Sequence, residues 1–147
     1  MKKTIETITD FIIKFEGFRR NAYKCPAGVW TIGYGITEYP DGRPVKQGDT
    51  ITMQDAYNML EQYIDNEIGP HLTGLGLLKH GQFKAIVSLV YNIGWPAFAR
   101  SKCCAALKAK DWPTFIKEYD WFKANGKVMP GLLKRRTAEL AEFFSGE

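Results

Sequence analysis

From Gly81 to Ile93 the chain is apolar on nearly every side of a helix, with Phe83, Ile86, Val87, Leu89, Val90 and Ile93 spread over all faces. A helix of that kind has no face to give to water, so it predicts a central, buried element that other elements must cover. Gly94 closes it, and Trp95-Pro96 forbids direct continuation, because proline lacks the amide proton that a helix interior needs. Amphipathic segments elsewhere supply the cover. Ile5, Ile8, Phe11, Ile12 and Phe15 recur at helical spacing and predict a helix over 4–15, stopped by Gly17. Thr52 reads as the cap of a helix over about 53–67, with Met53, Tyr57, Leu60 and Ile64 inward and Gly69-Pro70 at its end. Ser101 and Asp111 are cap candidates for two further helices, the second burying Phe115, Tyr119 and Phe122. Asn125-Gly126 reads as a turn, and a last helix over about 131–144 points Leu132, Leu133, Leu140 and Phe143 inward.

Residues 18–50 differ in kind. Pro26-Ala27-Gly28 and Pro40-Asp41-Gly42 are turn formers, and the β-prone Val29-Trp30-Thr31-Ile32 and Tyr34 lie between them. They predict a small antiparallel sheet of two or three strands. The fold class is therefore α+β, mostly α, as one domain over 1–147. A small lobe spans about 17–51, a connecting helix about 53–67, and a helical lobe about 81–147, which the N-terminal helix is expected to join.

Composition narrows the function. The net charge is +4 and the cations are scattered, so no arginine-rich recognition helix points to nucleic acid. The one dense basic run, Lys134-Arg135-Arg136, reads equally as a solvated helix face or as a contact to an anionic polymer. Three cysteines, two of them adjacent (Cys103 and Cys104), make a poor disulfide framework and suit a reducing compartment. Cys103 and Cys104 read as packing residues, and His71 and His80 as loop residues. Neither histidine stands at zinc-site spacing from a cysteine, and neither metal nor cofactor is expected. The N-terminal segment is interrupted by Glu6 and Asp10, leaving Phe11-Ile12-Ile13 as its longest apolar run. That is too short for a signal core or a membrane span, so synthesis in the cytosol without stable membrane insertion is expected.

The stretch FEGFRRNAYKCPAGVWTIGYGIT, residues 15–37, concentrates the chemistry. It sets Glu16 at a helix end, where the partial negative charge of the C-terminus suits a group that must carry a proton. Cys25 opens a hairpin and Thr31 lies in a strand. Cutting a glycosidic bond needs an acid for the leaving oxygen and a group on the opposite face to handle water or the oxocarbenium ion. Glu16 fits the first role and Thr31 can hold a water. Cys25 fits the remaining role only as a thiolate, and a free thiol ionises near pH 8.5, so a neighbouring cation such as Arg19, Arg20 or Lys24 is expected to help.

The spacing Glu16-x8-Cys25-x5-Thr31, with the hairpin AYKCPAGVWTIGYGIT, resembles the catalytic signature of phage-type lysozymes, glycoside hydrolase family 24. QFKAIVSLVYNIG, residues 82–94, resembles that family's central helix, and PGLLKRR, residues 130–136, resembles its late Arg-Arg helix. The resemblance implies a lysozyme-like fold and cleavage of the β-1,4 bond between N-acetylmuramic acid and N-acetylglucosamine. By position, Glu16 becomes the general acid and Thr31 the water-positioning residue. Cys25 takes the place that Asp holds in many members. Arg135 or Arg136 would lie near Glu16, and Tyr34, Gly35, Tyr91 and Asn92 would line the substrate path, although Tyr91 reads equally as a core aromatic.

Water activation by Thr31 and Cys25, with inversion, ranks above a covalent thioglycosyl intermediate. Attack by the substrate's own acetamide, as in a lytic transglycosylase that leaves a 1,6-anhydro end, stays open. The setting that the resemblance implies is host lysis by a phage or prophage. A monomeric enzyme would gather in the cytosol and reach the peptidoglycan of the periplasm or wall through a membrane pore, a holin.

Overall fold

In a computed structural model, residues 5–147 are described, and Thr4, the first residue of the expected N-terminal helix, lies outside them. The contacts divide the chain after Glu67 into two units, taken here in turn.

The first unit begins with α1, Ile8–Ile13, shorter than the expected 4–15. The reason is a capping box that the hydrophobic spacing concealed. The Thr7 hydroxyl accepts from the Asp10 amide at 2.9 Å, and the Asp10 carboxylate accepts from the Thr7 amide at 3.1 Å. That box starts the helix at Ile8 and leaves Ile5 75% exposed. At the other end the amides of Phe15 and Glu16 both reach the Ile12 carbonyl, so Glu16 sits where the helix runs out. Gly17 does not adopt the left-handed conformation of a glycine stop. The first unit also contains β1 (Arg19–Lys24) and β2 (Trp30–Gly33), an antiparallel pair with Tyr23 opposite Thr31 and Lys24 opposite Trp30. The expected third strand is reduced to single bridges, Asn21 to Thr50, Ile32 to Ile36 and Glu38 to Pro44.

The helix α2, Met53–Tyr63, is capped by Thr52 as expected. Its inward stripe is Ala56, Leu60 and Ile64, while Met53 is exposed. The Tyr57 hydroxyl bonds Asp10 and Thr7 at 3.0 and 2.9 Å and ties α2 to the cap of α1. So α1, assigned by the sequence reading to the helical lobe, falls in the first unit. Beyond Tyr63 the chain loosens into a π-type turn, Ile64–Ile68, and Gly69-Pro70 opens a 3-10 turn, Gly69–Leu72, instead of ending the helix outright.

The second unit is organised on α3, His80–Ile93, whose Ala85, Ile86, Val87, Leu89 and Val90 are buried, as the all-round apolar pattern requires. Around it come α4 (Trp95–Ala99), α5 (Lys102–Ala109) and α6 (Trp112–Lys117), with Ser101 and Asp111 capping the last two. The α4 helix was not expected. Proline lies in its first turn, where no amide proton is needed, so Trp95-Pro96 ends α3 and starts the next helix. A second hairpin pairs β3 (Lys123–Ala124) with β4 (Lys127–Val128) across Asn125-Gly126, both residues at positive φ. Phe122 lies past α6 and is only half-buried.

The final helix α7, Pro130–Phe143, packs along α3, but not on the expected leucines. Leu133 is 41% exposed, and the buried stripe is Arg135, Arg136, Glu139 and Phe143. Cys103 and Cys104 are core residues, and burial pushes the Cys103 thiol up to about 12. His71 lies in the 3-10 turn, its ring stacked on Trp95 with centroids 4.8 Å apart, and His80 begins α3; neither is a plain loop residue.

Candidate active site

The β1–β2 connection runs from Cys25 to Val29 and turns on Pro26-Ala27-Gly28. The Gly28 amide donates to the Cys25 carbonyl at 2.8 Å and the Cys25 amide to the Val29 carbonyl at 3.0 Å. Proline presets the first turn residue, and Gly28, at φ +80°, supplies the left-handed position that closes such a loop. This folding turns backbone amides toward the Cys25 side chain. The Val29 amide is the strongest influence on the thiol and holds its pKa below the ordinary value. The amides of Ala27 and Cys25 and the Thr31 hydroxyl act the same way, against a partial desolvation that opposes them. The thiolate is thus favoured by hydrogen bonds, not by the neighbouring cation that the sequence reading expected.

Thr31 is buried, opposite Tyr23, and its hydroxyl lies 3.0 Å from the Val29 carbonyl. Its proton goes to that carbonyl, and the hydroxyl also stands among the groups that lower the Cys25 thiol. The next turn holds β2 in place. Gly33, at φ +66°, sits where a Cβ would meet the Ala56 Cβ at 3.1 Å, so glycine lets the strand lie close on α2. Tyr34 is buried with its ring 5.5 Å from that of Phe18, and Gly35 is exposed at φ +99°. Glu16 is half-buried, and Gly17 and Phe18 separate it from β1.

The remaining expected site residues lie in the second unit. Tyr91 and Asn92 occupy the last turn of α3, the first half-buried and the second exposed. Arg135 and Arg136 are neither a solvated face nor a polymer contact, being 4% and 1% exposed. Arg135 donates through Nε to the Ser88 hydroxyl at 3.2 Å and through Nη2 to the Ser88 carbonyl at 3.1 Å. Arg136 meets Glu139 through Nη2 at 3.0 Å and through Nε at 2.7 Å. The Nε approach is a close ion contact without hydrogen-bond alignment. The Tyr119 hydroxyl donates to Glu139 at 2.9 Å, and the Ser88 hydroxyl donates to it as well. Burial pushes the Glu139 carboxyl up, with Arg136 opposing.

Glu139 is the residue that sequence reasoning missed. Its spacing of three and four from the two arginines was the available signal. Among the described residues, no group of three His, Cys, Asp or Glu could hold a metal, and no helix is long and apolar enough to cross a membrane.

Comparison with known proteins gives concordant matches. The family model described as phage lysozyme matches residues 13–139. The endolysin of Acyrthosiphon pisum secondary endosymbiont phage 1 is 40% identical over 140 residues, spanning 91% of this chain and 92% of that protein. Among solved structures, the endolysin from Escherichia coli O157:H7 phage FAHEc1 superposes with a TM-score of 0.81 at 29% identity, over 100% of this chain and 96% of that one. The muramidase domain of SpmX from Asticaccaulis excentricus also gives a TM-score of 0.81, at 27% identity over 98% and 99% of the two chains.

Proposed function

The chain belongs to the phage lysozyme family, and on that premise we propose that it is a muramidase cutting the β-1,4 bond from N-acetylmuramic acid to N-acetylglucosamine in peptidoglycan. The family makes it a lysozyme-like, peptidoglycan-lytic enzyme of the glycoside hydrolase type. The choice of bond is supported by the likeness to a domain titled a muramidase.

The observation that carries the residue roles is the Cys25 pocket, where amides of Val29 and Ala27 and the Thr31 hydroxyl stabilise a thiolate. Glu16 protonates the leaving glycosidic oxygen. A water held by the Thr31 hydroxyl attacks the sugar carbon from the opposite face and gives its proton to the Cys25 thiolate, so the anomeric configuration inverts. Gly35 and Asn92, both exposed, are retained as substrate contacts. Arg136, 1% exposed, is assigned to holding α7 against the Trp121 carbonyl and to pairing with Glu139, which accepts from Ser88 of α3. The enzyme acts as a monomer and depends on a holin to reach the wall.

The test is Glu16→Gln on outer-membrane-permeabilised Gram-negative cells, with mass spectrometry of the products released by the wild type. Loss of clearing in the variant and reducing muramic-acid ends from the wild type are expected. Clearing by the variant at the wild-type rate, or products lighter by one water, would overturn the proposed mechanism.

A further inference from the structure

The hairpin face that carries Thr31 also carries a cation with no ion-pair partner among the described residues. Tyr23 stands directly opposite Thr31, so the two side chains share a face with Cβ atoms about 5 Å apart. The Arg19 guanidinium lies over the Tyr23 ring, 4.3 Å from its centroid. A ring contact fixes the side chain but satisfies none of its five N–H donors. Arg19 is exposed and forms no ion pair among the described residues. Gly17 to Thr37 contains Arg19, Arg20 and Lys24 and no Asp or Glu, so the hairpin itself carries no counter-charge. Lys24 has the same kind of contact, its Nζ 5.5 Å from the Trp30 ring, but it follows Tyr23 directly and so projects from the other face.

We propose that Arg19, seated on Tyr23, binds a carboxylate of the peptide stem carried by the muramic acid at the cut bond, an inference that rests on the muramidase reading. The chemistry selects this partner. The muramic lactyl carboxyl is consumed in the amide link to the stem, so the free carboxylates lie on the peptide and not on the sugars. A planar guanidinium matches a carboxylate in two parallel hydrogen bonds. Its ring support removes much of the ordering cost that an exposed arginine otherwise brings to binding. Arg19 and Tyr23 thereby favour strands whose stems carry free carboxylates over strands whose stems are neutralised, Arg19 by contact and Tyr23 by positioning it.

The test compares two substrates, soluble glycan strands with their stems intact and the same strands with the stem carboxylates capped as methyl amides, which keeps the lactyl amide and removes only the negative charge of the peptide. The wild type is expected to prefer intact strands by roughly tenfold in kcat/KM, the value of one charge-assisted contact. That preference should shrink as salt is raised. Arg19→Gln should lose it through KM with kcat retained, Arg19→Lys should keep part of it, and Tyr23→Leu should fall between wild type and Arg19→Gln. A preference that survives in Arg19→Gln, or is absent from the wild type, overturns the anchor. Release of no muramic-acid ends by the wild type from either substrate overturns the muramidase reading instead, and the anchor with it.

Discussion

Replacing Glu139 by Ala puts the greatest load on the reasoning about the second unit. The carboxylate is fully buried and is met by Arg136 at 2.7 and 3.0 Å, by Arg135 at 3.5 Å and by the hydroxyls of Ser88 and Tyr119. Burial raises its pKa despite Arg136, so the carboxylate itself gains little from being inside. The damage from Glu139→Ala therefore comes from what it abandons, namely two buried guanidinium groups without their counter-charge and the hydroxyls of Ser88 and Tyr119 without their carboxylate acceptor. Removing one partner of a buried pair costs about 3–5 kcal/mol. Unfolding 147 residues, at ~2.1 cal/mol/K each, carries an entropy of about 0.3 kcal/mol/K. The midpoint of a thermal melt followed by circular dichroism should then fall by roughly 10–15 °C. Glu139→Gln, which keeps acceptor and donors but not the charge, should fall less. Arg136→Met with Glu139→Leu, which removes both charges in a volume-conserving way, should also be milder than Glu139→Ala. A drop below about 3 °C for Glu139→Ala, where an ordinary surface change would also sit, would refute the buried-network account.

Three further measurements bear on the first unit. Because hydrogen bonds depress the Cys25 thiol, the ascending limb of the pH–rate profile should lie below the ordinary thiol range. Cys25→Asp should move that limb down into the carboxylate range and Cys25→Ser should abolish it; an unchanged limb in the serine variant would remove Cys25 from the chemistry. At the α1 cap, the Thr7 amide depresses the Asp10 carboxyl below its ordinary value. A folded-state value lower than the unfolded one means that this stabilisation is present above the ordinary carboxylate range and is lost as pH falls through the lowered value. Thr7→Ala should cost about 1 kcal/mol at neutral pH, and Asp10→Asn should cost less at low pH than at neutral pH. Equal urea midpoints for Asp10→Asn and wild type at every pH would rule the cap out.

The gap between what could be read in the sequence and what the structure holds follows one physical line. Apolar periodicity located α3 because Ala85, Ile86, Leu89 and their neighbours bury without partners of any special geometry. It failed at α7, where the stripe that turns inward is Arg135, Arg136 and Glu139, since charges enter a core only as a mutually satisfied set and single-residue hydrophobicity cannot express a set. It also overran α1, because the start of that helix is decided by two reciprocal hydrogen bonds between Thr7 and Asp10. The site divides in the same way. Glu16, Cys25 and Thr31 were legible as a spacing, and the sequence reading sought a cation to make the thiol useful. The hairpin meets that need with the amides of Val29 and Ala27, groups that every residue but proline possesses and no sequence pattern marks. Gly28 and Pro26 are the legible trace of the arrangement, because they shape the turn that carries those amides. The lowering of the Cys25 thiol therefore follows from the loop conformation. Gly28→Ala, which strains the φ of +80°, should shift the ascending limb of the pH–rate profile toward the free-thiol value although it alters no charge. A limb that stays in place while the variant remains folded would mean that some group other than the loop amides stabilises the thiolate.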